Sequence, residues 1–137
     1  MTHSSVPRSF VLLTCFLLVS NSCRGASRSS QEDLCARALA TQRDTHTVVV
    51  LFWASWSAPD KLLIPLLEEG VKERPSVALR KVDVDESRSI ALACNVRSIP
   101  DVRVLRNGSV TSGFIGAVPK GQVDHFLDSL TRQGPEP

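Results

Sequence analysis

A run of seven residues, Thr47 to Trp53, constrains the fold of this chain more than any other segment. It reads Thr-Val-Val-Val-Leu-Phe-Trp, which is apolar and β-branched without the polar alternation of a half-exposed strand. Such a run is typical of a strand that is covered on both faces. The sequence therefore predicts a central strand with helices packed on each side of it.

The segments around this strand predict alternating helices and strands. Helices are expected over 31–42, 59–73, 86–94 and 119–130, and further strands over 77–84, 102–105 and 110–115. Asn107-Gly108 separates the last two strands and is the dipeptide of a tight hairpin. A strand–helix–strand unit followed by a hairpin and a helix indicates an α/β domain with a mixed sheet covered on both faces.

Apolar spacing predicts which helix faces are buried. The residues expected to face inward are Leu34, Ala38 and Leu39 from the first helix and Leu63, Leu67 and Val71 from the second. The last helix carries apolar residues at i, i+3, i+4 and i+7, namely Val123, Phe126, Leu127 and Leu130. These faces are predicted to form the layers above and below the sheet.

Residues 1–25 predict an N-terminal targeting segment. A polar start precedes the apolar run Phe10 to Val19, which is short for a membrane span, and small and polar residues follow it. This layout is typical of a secretory signal peptide. Frequent serines, spread arginines and the lack of acidic residues before Glu32 leave a mitochondrial presequence as the alternative. The domain is then expected over 26–132, with a disordered tail over 133–137.

Charge and composition give no reason to expect nucleic acid, a membrane surface or a metal ion as a partner. The formal net charge is +2, but Arg8 and Arg24 lie in the predicted targeting segment, and the remainder of the chain is balanced. A neutral domain gives no electrostatic reason to expect nucleic acid or a membrane surface as a partner of the mature form. No Cys/His cluster has the spacing of metal ligands, so we expect no metal and no cofactor.

From Val48 to Leu130 the chain resembles the thioredoxin family. The matching segments, in the family's order, are Phe52-Trp53-Ala54 with Trp56, Pro59 and Lys61; Pro65; Val82-Asp83-Val84-Asp85; Val96-Arg97-Ser98-Ile99-Pro100; Asn107-Gly108; and Gly116-Ala117. The resemblance implies a thioredoxin-like α/β fold, with a mixed central sheet of four strands, or five, and helices on both faces. It also implies that Pro100 is the family's cis-proline.

The departures from the family fall on its reactive positions. Ser57 and Asp60 stand where thioredoxins carry two cysteines, and Leu51 stands where they usually keep a buried aspartate. A thiolate attacks a disulfide and a second thiol resolves the product, and neither a hydroxyl nor a carboxylate does this at neutral pH. The resemblance therefore implies that this loop holds no catalytic residues.

Two further interpretations concern the same loop. Ser57 and Asp60 fit a capping box, in which Ser57 is the N-cap and Asp60 lies in the first helical turn. A catalytic Ser–Asp pair is the rival hypothesis, but the sequence places no base beside Ser57.

The resemblance also implies an apolar binding groove beside this loop. Its expected residues are Trp56, Pro59, Ile99, Pro100 and Ala117. The neighbouring residues Trp53 and Ile115 are interpreted as part of the core.

Cys35 and Cys94 remain once the targeting segment is removed. The resemblance puts the first and third helices on one face of the sheet, so the two residues could lie close together. A disulfide and two free thiols both stay open, since sequence does not show whether the Cα atoms approach closely enough. Cys94 also fits a small buried hydrophobe.

These observations predict a redox-inactive, thioredoxin-like protein that binds polypeptide through the groove, as a chaperone-like factor or a subunit of an assembly, and not an enzyme. The alternative is a residual thiol–disulfide oxidoreductase or redox-sensing protein that uses Cys94 and Cys35. That chemistry requires a positive neighbour to stabilise a thiolate, and spacing alone reveals none. A protein or peptide partner is expected, and the strand at 77–84, if left at an uncovered edge, offers a route to an oligomer.

Overall fold

The computed structural model describes residues 26–39 and 47–132, so the predicted targeting segment and tail lie outside the described residues. The elements, in chain order, are α1 (Ala26–Leu39), β1 (Thr47–Trp53), α2 (Ala58–Lys72), β2 (Val77–Asp83), α3 (Arg88–Ala93), β3 (Asp101–Arg106), β4 (Ser109–Ile115) and α4 (Lys120–Arg132). The predicted order of helices and strands is confirmed. None of these helices is long and apolar enough to cross a membrane.

The four strands form one mixed sheet in the order β2-β1-β3-β4. β1 pairs parallel with β2 and antiparallel with β3, and β3 pairs antiparallel with β4. The predicted α/β class and four-stranded mixed sheet are confirmed. β2 lies at an edge of this sheet, and pairing with another chain there stays a prediction.

β1 divides the interior into two cores. Val49 and Leu51 pack on the side of α2 and α4, while Val50 and Phe52 pack on the side of α1 and α3. All four side chains are fully buried, as the apolar run predicts. Leu51 therefore fills a core position, and the exposed Lys81 pairs with Glu68 on the surface.

The buried face of α1 agrees with the prediction only in part. Leu34 is 50% exposed, whereas Cys35, Ala36 and Leu39 are buried against the sheet. Residues at i, i+1 and i+4 lie on one side of a helix, so Cys35, Ala36 and Leu39 form a continuous stripe that excludes Leu34. Leu39 is therefore buried as predicted, and the prediction was wrong for Leu34 because it missed the stripe that the small residues Cys35 and Ala36 form with Leu39.

The hairpin and the last helix agree with the sequence. Asn107 and Gly108 have φ angles of 50° and 75°, the left-handed pair that a type I′ turn requires. α4 buries Val123, Leu127 and Leu130 against α2 and the sheet. These contacts fix the carboxyl-terminal half of the domain.

Candidate functional site

Ser57 and Asp60 do not form the predicted capping box. Ser57 stands at the N-cap of α2, but its side chain makes no capping hydrogen bond. The Asp60 Oδ2 atom instead accepts a hydrogen bond from the Ala54 N–H, at 2.8 Å. Asp60 shares the inward face of α2 with Leu63 and Leu67, so its carboxylate is turned under the loop. Its structural role is to tie that loop to the helix.

The second oxygen of this carboxylate is left without a partner. Asp60 is fully buried, and within the described part of the chain its Oδ1 atom accepts no hydrogen bond. A buried polar atom of this kind lowers stability unless its surroundings compensate for the lost hydration. The contacts of Asp60 therefore point to a structural tie with an incomplete hydrogen-bond set.

The residues of the expected groove differ widely in exposure. Trp56 is 69% exposed, and its indole Nε1 donates to Asp85 Oδ2 at 2.9 Å. Ile99 is half-buried and packs on the core beneath α1 and α3, and the Ile99–Pro100 peptide bond is cis, as the resemblance implies. Pro59 and Ala117 are exposed. That these residues form a binding groove stays a prediction.

Of the two groove neighbours interpreted as core, only one lies there. Trp53 is half-buried and packs on the core beneath α2 and α4. Ile115 is 62% exposed, so its assignment to the core was wrong. It ends β4, an edge strand, which explains why its side chain reaches solvent.

Cys35 and Cys94 are joined by a disulfide. Cys35 belongs to α1 and Cys94 caps the carboxyl end of α3, and their Cα atoms lie 4.3 Å apart across 59 residues of sequence. Both residues are only 2% exposed. The shared face implied for the first and third helices is confirmed, and the bond joins α1 covalently to the end of α3.

Arg103 supplies the positive charge that spacing alone did not reveal. Its Nη1 atom lies 3.6 Å from the Cys35 Sγ and donates to the Cys94 carbonyl oxygen at 2.6 Å. Its Nε and Nη2 atoms donate to Asp101 at 3.1 and 2.7 Å. The guanidinium also lies 5.5 Å from the centre of the Phe52 ring. Asp101, the Cys94 carbonyl and the Phe52 ring therefore fix the guanidinium of Arg103, and its Nη1 edge lies against the disulfide.

A cleft of about 360 Å³ opens beside this disulfide. Side chains from α1, the end of α3, β3 and β4 line it, namely Gln31, Glu32, Cys35, Cys94, Asn95, Arg103 and Val110. Gln31 Nε2 donates to the Ala93 carbonyl and so holds α1 against the end of α3. Both cysteines border this cleft, although each is almost fully covered. Within the described ranges, no group of three His, Cys, Asp or Glu side chains is placed to hold a metal ion.

The sequence carried one signal for Arg103. β3 reads Asp-Val-Arg-Val-Leu-Arg, and a charged residue inside a buried strand needs a partner. Asp101 and Arg103 are two residues apart, so they share a face of the strand and pair there. The proximity of Arg103 to Cys35 depends on the packing of α1 over β3, which no local pattern reports.

The profile of the family described as Thioredoxin matches residues 35–129. Among similar proteins, the chloroplastic M-type thioredoxin of Spinacia oleracea is 45% identical over 59% of this chain and 45% of its own length. The mitochondrial thioredoxin of Bos taurus is 39% identical over 61% of this chain and 51% of its own. The thioredoxin of Haemophilus influenzae is 34% identical over 59% of this chain and 77% of its own.

A solved structure supports the fold. A chain from a study titled "Structural basis of the thiol resolving mechanism in yeast mitochondrial 1-Cys peroxiredoxin via glutathione/thioredoxin systems" aligns with a TM-score of 0.58 and 30% identity. The alignment covers 63% of this chain and 80% of that one. The matched segment spans about half the length of the two organellar relatives.

These findings correct the prediction of a redox-inactive binding protein with a chaperone-like role. The relatives are named thioredoxins, which are dithiol–disulfide redox proteins, and Cys35 and Cys94 form a disulfide. The findings favour the alternative, an oxidoreductase that uses Cys35 and Cys94, which ranked second because spacing along the chain revealed no positive neighbour for either cysteine. The expected secretory location also finds no support, since two relatives are named as chloroplastic and mitochondrial. The match over residues 35–129 and the agreement in fold show that the chain belongs to the thioredoxin family.

Proposed function

We propose that this protein is a thiol–disulfide oxidoreductase whose redox couple is the Cys35–Cys94 pair. The observation that carries the proposal is the disulfide itself, placed with Arg103 3.6 Å from the Cys35 sulfur and open to a cleft. A cation beside a cysteine favours the thiolate form, which is the reactive species in exchange. Membership in the thioredoxin family supports the same chemistry, with a protein thiol or disulfide as the partner.

The exchange needs only this pair and an external thiol. A thiolate of the partner attacks one sulfur of the disulfide, a mixed disulfide forms, and the other cysteine leaves as a thiolate. A second thiolate then releases the remaining cysteine and forms the partner's disulfide. The protein gains two electrons and the dithiol partner loses two, and the reverse sequence reduces a disulfide partner.

We further infer that Ser57 and Asp60 occupy the two cysteine positions of the family's active-site loop. They lie between β1 and the first turn of α2, and no cysteine occurs between Cys35 and Cys94. Asp60 is engaged with the backbone of Ala54 and Ser57 makes no capping bond. The proposed exchange therefore does not use this loop.

Burial of the sulfurs favours a second candidate, a redox-sensing protein. Cys35 and Cys94 are each 2% exposed, so partners approach only through the cleft or through local opening of α1. Slow exchange of this kind suits a switch better than rapid turnover. The rate of exchange distinguishes the two candidates.

We also propose a mitochondrial location. The mitochondrial name of one relative and the lack of acidic residues before Glu32 support it. Microscopy of the full-length chain with a carboxyl-terminal fluorescent tag tests the proposal. Overlap of the tag with a mitochondrial marker is expected, and entry into the secretory pathway would contradict it.

The function is tested by redox titration of the folded chain. The protein is equilibrated in mixtures of oxidised and reduced dithiothreitol, free thiols are alkylated, and modified Cys35 and Cys94 are counted by mass spectrometry. We expect a reversible two-thiol transition while circular dichroism stays native. A disulfide that becomes reducible only when the chain unfolds in denaturant would identify a structural bond and overturn the proposal.

Turnover is tested by the reduction of insulin in the presence of dithiothreitol. The wild-type chain is expected to accelerate the reaction, and Cys35→Ser and Cys94→Ser to return it to background. Ser57→Ala is the matched control and is expected to keep the wild-type rate. A loss of rate in Ser57→Ala with full rate in the two cysteine variants would place the chemistry in the loop instead.

A further inference from the structure

We propose that Arg103 makes the disulfide asymmetric, so that an incoming thiolate attacks the Cys94 sulfur and Cys35 leaves as the thiolate. The inference rests on the proposed exchange function and assigns a different part to each cysteine. It also assigns to Arg103 the role of stabilising the charge that develops on the leaving sulfur.

The asymmetry is visible in the contacts of the guanidinium. Nη1 of Arg103 lies 3.6 Å from the Cys35 Sγ, whereas its contact with Cys94 is to the backbone carbonyl oxygen, at 2.6 Å. A positive charge next to a sulfur stabilises its thiolate, and a more stable thiolate is the better leaving group. Cys35 therefore has an advantage as the departing sulfur that Cys94 lacks.

Asp101 keeps Arg103 in this position. Asp101 is buried, and it receives hydrogen bonds from Nε and Nη2, which leaves Nη1 directed toward the disulfide. Because a guanidinium is planar and presents its donors in a fixed fork, holding two of them orients the third. The Phe52 ring, 5.5 Å from the guanidinium carbon, covers the group further.

Among the residues that line the cleft, Arg103 is the one cation. Glu32 of α1 lines the cleft and is exposed, and Asp101 balances part of the charge of Arg103 from β3. Asn95, which follows α3, and Val110 of β4 line the same cleft and carry no charge. Asp101 and Glu32 weaken the field at Cys35 without reversing the difference between the two sulfurs, because Arg103 lies directly against the Cys35 sulfur.

The proposed step conserves atoms and electrons. The partner's thiolate forms a bond to the Cys94 Sγ, the Cys35–Cys94 bond breaks, and its electron pair remains on the Cys35 Sγ beside Arg103. A second thiolate of the partner then attacks the mixed disulfide at the partner's sulfur. Cys94 leaves as a thiolate with the electron pair of the broken bond and is then protonated by solvent, and the partner becomes a disulfide.

The first test measures thiolate formation without requiring any exchange. Reduced Cys94→Ser carries only the Cys35 thiol in the described domain, and reduced Cys35→Ser carries only the Cys94 thiol; both are made in a chain that begins at Ala26. Thiolate ultraviolet absorbance is followed against pH. We expect the Cys35 transition at a lower pH than the Cys94 transition, by about one unit. Equal midpoints, or a lower midpoint for Cys94, would overturn the inference.

Arg103 is then changed in the Cys94→Ser background. Arg103→Gln is expected to raise the midpoint of the Cys35 transition, and Arg103→Lys to restore part of the shift, because a charge remains without the fixed fork. Arg97→Gln is the matched control, since Arg97 is an exposed arginine whose side chain bonds to Asn95. If circular dichroism shows that Arg103→Gln is unfolded, the Cys35 midpoints of Arg103→Lys and Arg97→Gln are compared instead. A Cys35 midpoint that changes with neither substitution at Arg103 contradicts its role.

The second test locates the attacked sulfur in the oxidised wild-type chain. Brief treatment with 2-mercaptoethanol and quenching with iodoacetamide should give the mixed disulfide on Cys94 and the alkyl group on Cys35, read by peptide mass mapping. The opposite distribution, or an equal one, refutes the assignment. If the proposed function fails because the bond is inert, no mixed disulfide forms while the midpoints still differ, so the two failures are distinguishable.

Discussion

Arg74 donates two hydrogen bonds to one carboxylate oxygen of Asp128, from Nε at 3.0 Å and from Nη2 at 2.6 Å. Arg74 follows α2 and Asp128 lies in α4, so the pair joins the two helices that cover one face of the sheet. The hydrogen bond from Arg74 lowers the pKa of Asp128, burial opposes the change, and the charges of Arg74, Arg132 and His125 lower it further. The ionised carboxylate is therefore the form that the fold favours.

This pair predicts an acid-dependent loss of stability. Because the pKa of Asp128 is lower in the folded chain, the ionised carboxylate stabilises the fold. This contribution to stability is complete above the pKa of the unfolded chain, about 4, and disappears as the pH falls through the pKa of the folded chain. Asp128→Asn should remove this part of the pH dependence of Tm. Asp124→Asn is the control, since Asp124 lies on the same helix and makes only a longer contact to Lys120, at 3.6 Å. Identical acid profiles for Asp128→Asn and the wild type would contradict the prediction.

Asp60 is predicted to stabilise the loop before α2. Asp60→Ala leaves the Ala54 N–H buried without its acceptor and should lower the free energy of unfolding by about 1–3 kcal/mol. Lys61→Ala, at the exposed neighbouring position, should change it by less than about 0.5 kcal/mol. Urea denaturation measures both. An Asp60→Ala variant as stable as the parent would mean that the unpartnered Oδ1 atom costs as much as the hydrogen bond contributes.

The Cys35–Cys94 bond is predicted to stabilise the domain strongly. A crosslink that closes a loop of roughly 60 residues constrains the unfolded chain by about 4 kcal/mol in the entropy model. The oxidised chain should therefore unfold at a higher denaturant concentration than the reduced chain. The double variant Cys35→Ala/Cys94→Ala should match the reduced wild type and respond to no reductant. Equal midpoints for oxidised and reduced protein would show that the native state or the unfolded ensemble offsets the constraint.

Two helical glycines should respond in opposite directions to alanine. A Cβ at Gly70 would lie 2.5 Å from the Leu127 Cδ1, so Gly70→Ala forces α2 and α4 apart or moves Leu127. Its expected cost is about 1–2 kcal/mol after the gain in helix propensity. Gly121→Ala meets no heavy atom within 4 Å and should stabilise α4 by about 0.5 kcal/mol. Thermal unfolding of both variants decides the matter, and stabilisation of both would mean that Leu127 moves at no cost.

The sequence predicted the fold well because its signals are local or follow from the family resemblance. The apolar run of β1, the Asn107-Gly108 turn and the spacing of Val123, Leu127 and Leu130 each act over a few residues, and each is confirmed. In α1 the burial of Leu39 was predicted, but that of Cys35 and Ala36 was missed because both residues are small and give a weak periodic signal.

The candidate site was predicted less well because it depends on contacts between distant segments. Cys35 and Arg103 are 68 residues apart in sequence, and only the packing of α1 over β3 brings them together. Asp60 was assigned to a helix cap from its spacing, but the turn of α2 directs it inward under Ala54. Spacing identifies which residues share an element, and tertiary packing decides which atoms they contact.

The two faces of the sheet are held by different means, and this has a consequence for local opening of the structure. α4 is retained by apolar packing that oxidation does not affect, whereas α1 is attached covalently to the end of α3 through Cys35. Global unfolding exposes the amide hydrogens of both helices, so the lower stability of the reduced chain speeds exchange in α4 as well as in α1. Loss of the crosslink should add a local opening of α1 to this, so the amide hydrogens of α1 are expected to show the larger change in exchange rate. A change in the surrounding thiol potential would then be reported mainly as a change in the dynamics of one helix.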